Sequence, residues 1–123
     1  MLGYTIEEIK VSEYEVLFTL TNGQKIKMYH IQDCCETVTL EDIVGNITDL
    51  IDSPITLAER VSNSDDNADE SGTWTYYKLA TNKGYVTFRW YGESNGYYSE
   101  DCELVLLDEE EKGVEKWQHM RLQ

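Results

Sequence analysis

Apolar and polar residues alternate along most of this chain with the two-residue period of half-buried β-strands. The clearest case is residues 85–91, where two sets of side chains would face opposite ways: Val86, Phe88 and Trp90 against Tyr85, Thr87, Arg89 and Tyr91. Similar windows, rich in β-branched and aromatic residues, predict strands over residues 4–11, 14–20, 24–31, 55–61, 73–81 and 97–107.

Turn residues separate these windows. Asn22-Gly23 predicts a hairpin with a type I′ turn, because both residues tolerate a positive φ. Asn82-Lys83-Gly84 predicts a second hairpin, and residues 92–96 a further turn. Residues 34–43 fit a strand or a short helix equally well, and residues 45–51 fit a turn or one helical turn.

The pattern predicts a mainly β fold, with α+β as the alternative. We expect a single antiparallel sheet or a small sandwich of about six strands, with one or two short helices. The 123 residues suit one domain. Residues 1–107 would form this β-rich domain, and residues 108–123 a charged tail or a short helix.

Charge narrows the possible partners. The formal net charge is −14. Seven acids and no Lys or Arg lie between Lys27 and Arg60, and eight acids lie between Arg89 and Lys112. Such a field repels nucleic acids and anionic membranes and attracts basic protein surfaces. Acidity that serves solubility alone is the alternative.

The compartment follows from what the sequence lacks. The longest apolar runs, such as residues 104–107, are far too short to cross a bilayer. The first residues show no basic or apolar region of a secretory signal. Three cysteines are an odd number, which argues against a disulfide framework. We therefore expect a cytoplasmic protein.

One cluster carries possible metal chemistry. His30, Cys34 and Cys35 place an imidazole and two thiols within six residues, and zinc selects these ligand types. Asp33 and Glu36 would be extra ligands or acceptors that orient the imidazole. A fourth ligand would come from Glu36, Cys102, His119 or water. Two alternatives stay open: cysteines packed in the core with a hydrogen-bonded histidine, and a thiol nucleophile beside a histidine base.

Residues 62–72 form a polar tract that predicts a surface loop. Its Asp-x-Asn-x-Asp spacing is similar to a calcium loop, but Glu70 stands where that loop needs glycine. We interpret the tract as solvated. Its acids are candidate partner-binding residues: Asp65, Asp66, Asp69 and Glu70.

Several strings resemble a family of small phage and prophage proteins. They are Gln32-Asp33-Cys34-Cys35-Glu36, residues 41–43, residues 53–55, residues 69–74 and residues 89–99. The likeness covers roughly residues 5–105. Within that family the sequence resembles type II-A anti-CRISPR proteins, which inhibit Cas9 and include a zinc-containing member.

The resemblance implies a non-enzymatic inhibitor that binds Cas9 of a type II-A system in the bacterial host cytoplasm. It also implies a structural zinc ion at His30, Cys34 and Cys35. The alternative is a sponge for a cyclic nucleotide signal, with an aromatic pocket lined by Trp74, Trp90, Tyr91, Asn95 and Tyr97. The acidity opposes an anionic ligand.

Overall fold

The computed structural model describes residues 1–30, 35–65, 71–94, 100, 102–108 and 116–119. Within these residues the chain forms strands and a single 3₁₀ helix, Ile47–Leu50. The strands are β1 (Ile6–Val11), β2 (Glu15–Leu20), β3 (Lys25–Tyr29), β4 (Thr37–Val44), β5 (Leu57–Ser64), β6 (Ser71–Thr81), β7 (Gly84–Ser94), β8 (Glu103–Asp108) and β9 (Lys116–His119).

The strands form two sheets in which all strand pairs are antiparallel. The first sheet has the order β1-β2-β3-β8-β9, and the second has the order β4-β7-β6-β5. The mainly β prediction is confirmed, with nine strands in the described residues instead of about six.

The two sheets pack against each other through their apolar faces. Phe18 of β2 meets Phe88 of β7 edge to face, with ring centroids 5.7 Å apart. The indole N–H of Trp90 donates to Met28 Sδ at 3.2 Å. All four side chains have no exposed surface. The molecule is therefore a sandwich around one core, as antiparallel sheets with one apolar face require.

The alternation in β7 is confirmed. Val86, Phe88 and Trp90 are fully buried, whereas Tyr85 on the opposite face is 73% exposed. Thr87, Arg89 and Tyr91 on that face are partly exposed. The second sheet therefore has an inner face in the core and an outer face toward solvent.

The first hairpin differs from the prediction. Gly23 takes a positive φ of 92°, but Asn22 does not, so the turn is not type I′. The loop spans three residues, because Leu20 accepts from the Gly23 N–H and donates to the Gln24 carbonyl. Asn22 Oδ1 accepts from the Gln24 N–H at 2.9 Å, which fixes the loop. A glycine closing a three-residue loop forms a bulge that suits strand twist as well as a type I′ turn does.

Several boundaries also shift. β4 settles the open choice for residues 34–43 as a strand from Thr37 onward, and the 3₁₀ helix supplies the helical turn expected within 45–51. Residues 62–64 belong to β5 and residues 92–94 to β7, so the polar loop and the turn predicted there are shorter. β9 lies inside the segment predicted as a tail or helix and pairs with β8.

The described part of the chain has no helix with the length and hydrophobicity of a membrane span.

Candidate functional site

His30 follows β3, and Glu36 precedes β4. Their side chains meet inside the protein, with His30 Nε2 3.5 Å from Glu36 Oε1 and both side chains at most 5% exposed. A carboxylate beside an imidazole can orient the ring. Glu36, which the sequence offered as a ligand or as an acceptor for the imidazole N–H, therefore lies in contact with His30.

Of the two cysteines in the predicted metal cluster, only Cys35 lies within the described residues. Cys35 takes part in a disulfide bond, and a disulfide sulfur cannot act as a thiolate ligand. Cys34 lies outside the described residues. Within the described part of the chain, no group of three or more His, Cys, Asp or Glu side chains is placed to hold a metal ion. His30 and Glu36 alone do not make a zinc site.

A second cluster covers the outer face of the second sheet. We call it the aromatic face and define it as Trp74 and Tyr76 of β6 with Arg89 and Tyr91 of β7. The register sets Trp74 opposite Tyr91 and Tyr76 opposite Arg89. The Trp74 ring lies 4.6 Å from the Tyr91 ring and 6.2 Å from the Tyr76 ring, stacked on the latter at 13°.

The aromatic face already holds one guanidinium. Arg89 lies 5.1 Å from the Trp74 ring centroid and 5.9 Å from that of Tyr76. Its Nη1 is 3.2 Å from Asp42 Oδ2 on β4. Stacked rings with an adjacent carboxylate are the surroundings that arginine prefers at interfaces. The face therefore has the chemistry to bind further cationic side chains.

Acidic residues surround the aromatic face. Tyr91 Oη donates to Asp65 Oδ2 at 2.7 Å, and this hydrogen bond raises the pKa of the Tyr91 phenol above its ordinary value. Beside Tyr91 lies a depression of about 170 Å³ whose lining includes Glu41 and Glu93. Neither of these two exposed carboxylates forms an ion pair with a described residue.

The buried carboxylate of Glu100 anchors the open end of the β6–β7 hairpin, where Ser71 lies opposite Ser94. Glu100 is 7% exposed. Its Oε1 accepts from Thr73 Oγ1 at 2.8 Å, its Oε2 accepts from Ser94 Oγ, and Ser71 adds a further hydrogen bond. Burial raises the pKa of Glu100, but the three hydroxyl donors outweigh burial and bring the pKa below its ordinary value.

The backbone of Glu100 also lies in close contact with the hairpin. A Cβ on Gly92 would lie 2.4 Å from the Glu100 carbonyl oxygen, so only glycine fits there. Two residues after Glu100, the backbone carbonyl of Cys102 accepts a hydrogen bond from Tyr77 Oη at 2.6 Å. Burial raises the pKa of Tyr77. These contacts join the start of β8 to the second sheet.

The chain belongs to the DUF7448 family. The model of this domain of unknown function matches residues 1–104, most of the sandwich and all of the aromatic face. No curated protein and no solved structure matches the chain significantly.

The structure also locates the other predicted site residues of this family member. Asp65 lies beside Tyr91, but Asp66, Asp69 and Glu70 lie outside the described residues. Trp90 points into the core, whereas Trp74 and Tyr91 lie on the outer face. The pocket that grouped Trp90 with them is therefore wrong, because neighbouring residues of a strand face opposite ways. Asn95 and Tyr97 lie outside the described residues.

Sequence reasoning missed Glu41, Glu93, Asp42 and Glu100. The alternation within β6 and β7 is visible in the sequence. It could have predicted the outward-facing positions of these strands, which include Trp74, Tyr76, Arg89 and Tyr91. Nothing in the sequence sets β4 beside β7, so the acids of β4 could not be assigned to this face.

Proposed function

We propose that this domain is a non-enzymatic binding protein that docks a basic protein surface on the aromatic face and its acidic surroundings. The observation that carries the proposal is the held arginine: the face already binds a guanidinium between Trp74, Tyr76 and Asp42. A partner's arginine or lysine would find the same combination at Tyr91, Glu41 and Glu93.

Energetic considerations support this surface. Rigid aromatic side chains supply contact area at low cost in conformational entropy, and tryptophan, tyrosine and arginine dominate binding energy at interfaces. The net charge of −14 would speed the encounter with a basic partner and discourage nucleic acid from binding directly.

The partner that we propose is Cas9 of a type II-A system, which is the partner implied by the sequence resemblance. Cas9 offers positively charged channels for guide and target strands. An acidic domain could occupy such a channel or hold a lobe that must move. The matching setting for this activity is the cytoplasm of a bacterial host.

A structural zinc ion at His30, Cys34 and Cys35 is part of the proposal. It would need Cys35 reduced, since the structure has this sulfur in a disulfide. The buried imidazole of His30, with a carboxylate beside it, supports this site. Zinc would add to stability, because ligands that come together only in the folded state make metal binding part of folding.

The direct test is DNA cleavage by guide-loaded type II-A Cas9, with this protein added before or after target DNA. We expect inhibition in the first order of addition. Inhibition that is lost after DNA has bound would indicate a blocked DNA channel, and inhibition that persists would indicate a trapped conformation. No inhibition across several Cas9 orthologues would contradict the Cas9 proposal.

A pair of variants links the assay to the aromatic face. Trp74→Ala should abolish inhibition, whereas Tyr14→Ala should preserve it. Tyr14 is a matched control because it is 61% exposed and lies in the loop between β1 and β2, on the other sheet. Both variants should be shown to melt cooperatively. Full inhibition by Trp74→Ala would show that the aromatic face is not needed for binding Cas9.

A further inference from the structure

The edge of the second sheet at β5 differs from the other edges of the sandwich. β5 pairs with β6 over eight consecutive residues without a register shift. The β1 edge is interrupted between Ile6 and Glu8, and the β4 edge between Leu40 and Asp42. Bulges of this kind protect edge strands from further pairing. Among the described strands, β5 is the longest edge without such a bulge.

The direction of the backbone groups of β5 follows from one hydrogen bond. The Asp65 N–H donates to the Gly72 carbonyl at 2.8 Å. Because hydrogen-bonded and non-hydrogen-bonded pairs alternate in an antiparallel ladder, Val61 and Asn63 also bond toward β6. The N–H and C=O groups of Ser62 and Ser64 therefore point away from the sheet, and no described residue pairs with them.

The outer side of β5 leads directly to the aromatic face. Val61 lies opposite Tyr76, and Asn63 lies opposite Trp74. Both are short side chains, and both are exposed. An arginine or lysine on a strand added beside β5 is long enough to cross them and reach the rings of Trp74 and Tyr76. Glu59 lies on the same side of β5 and opposite Lys78.

We propose that the partner contributes an extended basic segment that adds to the second sheet as a strand along β5. Its backbone would bond to Ser62 and Ser64, and its alternate arginine or lysine side chains would lie across Val61 and Asn63 onto the aromatic face. This inference rests on the proposed function and deepens it, because it names the form in which the basic partner binds. Strand addition gives affinity through the main chain and specificity through alternate side chains.

Charge decides between the two possible occupants of this edge. A second copy would bring another net charge of −14 against the first, and like-charged surfaces oppose association. A basic segment instead meets the carboxylates of Glu59, within β5, and of Asp65, directly after it. The edge therefore fits a basic strand better than it fits itself.

The test uses an eight-residue peptide of alternating arginine and valine with blocked ends, matched to the length of β5. We expect it to quench or shift the tryptophan fluorescence of the full chain and to slow amide hydrogen exchange at Ser62 and Ser64. Ser62→Pro should weaken binding about tenfold, because it removes an outward N–H and blocks the approach of a strand. Ser62→Ala should bind like the original chain.

Proline is tolerated at edge positions whose N–H faces solvent, so Ser62→Pro should keep its melting temperature. Should it unfold, the exchange rates at Ser62 and Ser64 in the original chain decide alone. Three results would overturn strand addition. They are peptide binding by Ser62→Pro that equals that of the original chain, no peptide binding by the original chain, and unchanged amide hydrogen exchange at Ser62 and Ser64 when the peptide is added. A dimer that Ser62→Pro dissociates would overturn it as well, because the occupant would be a second copy. The Cas9 assay decides the proposed function independently of these results.

Discussion

Replacing Glu100 with Gln tests how the hairpin end of the second sheet is held. The carboxylate accepts hydrogen bonds from Thr73, Ser94 and Ser71 while 7% exposed. Glutamine keeps the shape but turns one acceptor oxygen into an NH₂ donor and removes the charge. One of the three hydroxyl groups then faces the amide NH₂ and must rotate to accept from it. The remaining hydrogen bonds become weaker because their acceptor is no longer charged.

The size of the effect follows from these contacts. A hydrogen bond to a charged group contributes about 1.5–3 kcal/mol and a neutral one about 0.5–1.5 kcal/mol. Glutamine recovers part of this difference, so we expect Glu100→Gln to lower the free energy of unfolding by about 1–3 kcal/mol. For a chain of this size the melting temperature should fall by roughly 4–12 °C.

The effect should also depend on pH. The folded protein lowers the pKa of Glu100 below its ordinary value near 4.5, so its stabilisation is present above that value and is lost as pH falls through the lowered pKa. Urea denaturation at about pH 7 should show the full difference between Glu100→Gln and the original chain, and the difference should narrow at about pH 3. Glu7→Gln, exposed on β1, is the control. Equal stability at neutral pH, or a difference that does not change with pH, would refute the reasoning.

Three further changes have definite expected outcomes. Gly92→Ala should destabilise the fold by about 1–3 kcal/mol in the same denaturation assay, because its Cβ would lie 2.4 Å from the Glu100 carbonyl oxygen; unchanged stability would show that the backbone yields. Thr75→Val should stabilise the fold by about 1 kcal/mol, since the fully buried Thr75 hydroxyl has no hydrogen-bond partner among the described residues; a loss of stability would contradict this reasoning. In reducing buffer a chelator should lower the melting temperature, and Cys35→Ser should abolish this response; an unchanged melting temperature would contradict zinc.

Local pattern predicted the strands and their faces well, because alternation is a property of each strand alone. Val86, Phe88 and Trp90 were assigned to one face, and all three are buried. The same reasoning failed at Asn22-Gly23, where the dipeptide marks the hairpin correctly but the loop is one residue longer. Dipeptide preference does not distinguish a type I′ turn from a loop that ends on a glycine bulge.

The site was less predictable because it depends on which strands become neighbours. Glu41 and Asp42 reach the aromatic face only because β4 pairs with β7, about 50 residues away. Glu100 is buried only because hydroxyls of β6 and β7 meet it there. Net charge leads to the prediction of a basic partner, but a single sequence could not identify the acids beside the rings.

The most direct test of the central claim compares two variants with the same net charge. Glu41→Gln/Glu93→Gln neutralises two acids beside Tyr91, and Glu7→Gln/Glu13→Gln neutralises two exposed acids at β1 and the loop that follows it. Affinity for guide-loaded Cas9 should be measured at low and at physiological salt. If the aromatic face binds the basic partner, the first variant loses about tenfold in affinity and much of its salt dependence, while the second stays within about twofold of the original chain. Equal losses in the two variants would mean that overall charge, and not this face, governs binding, and that result would contradict the account.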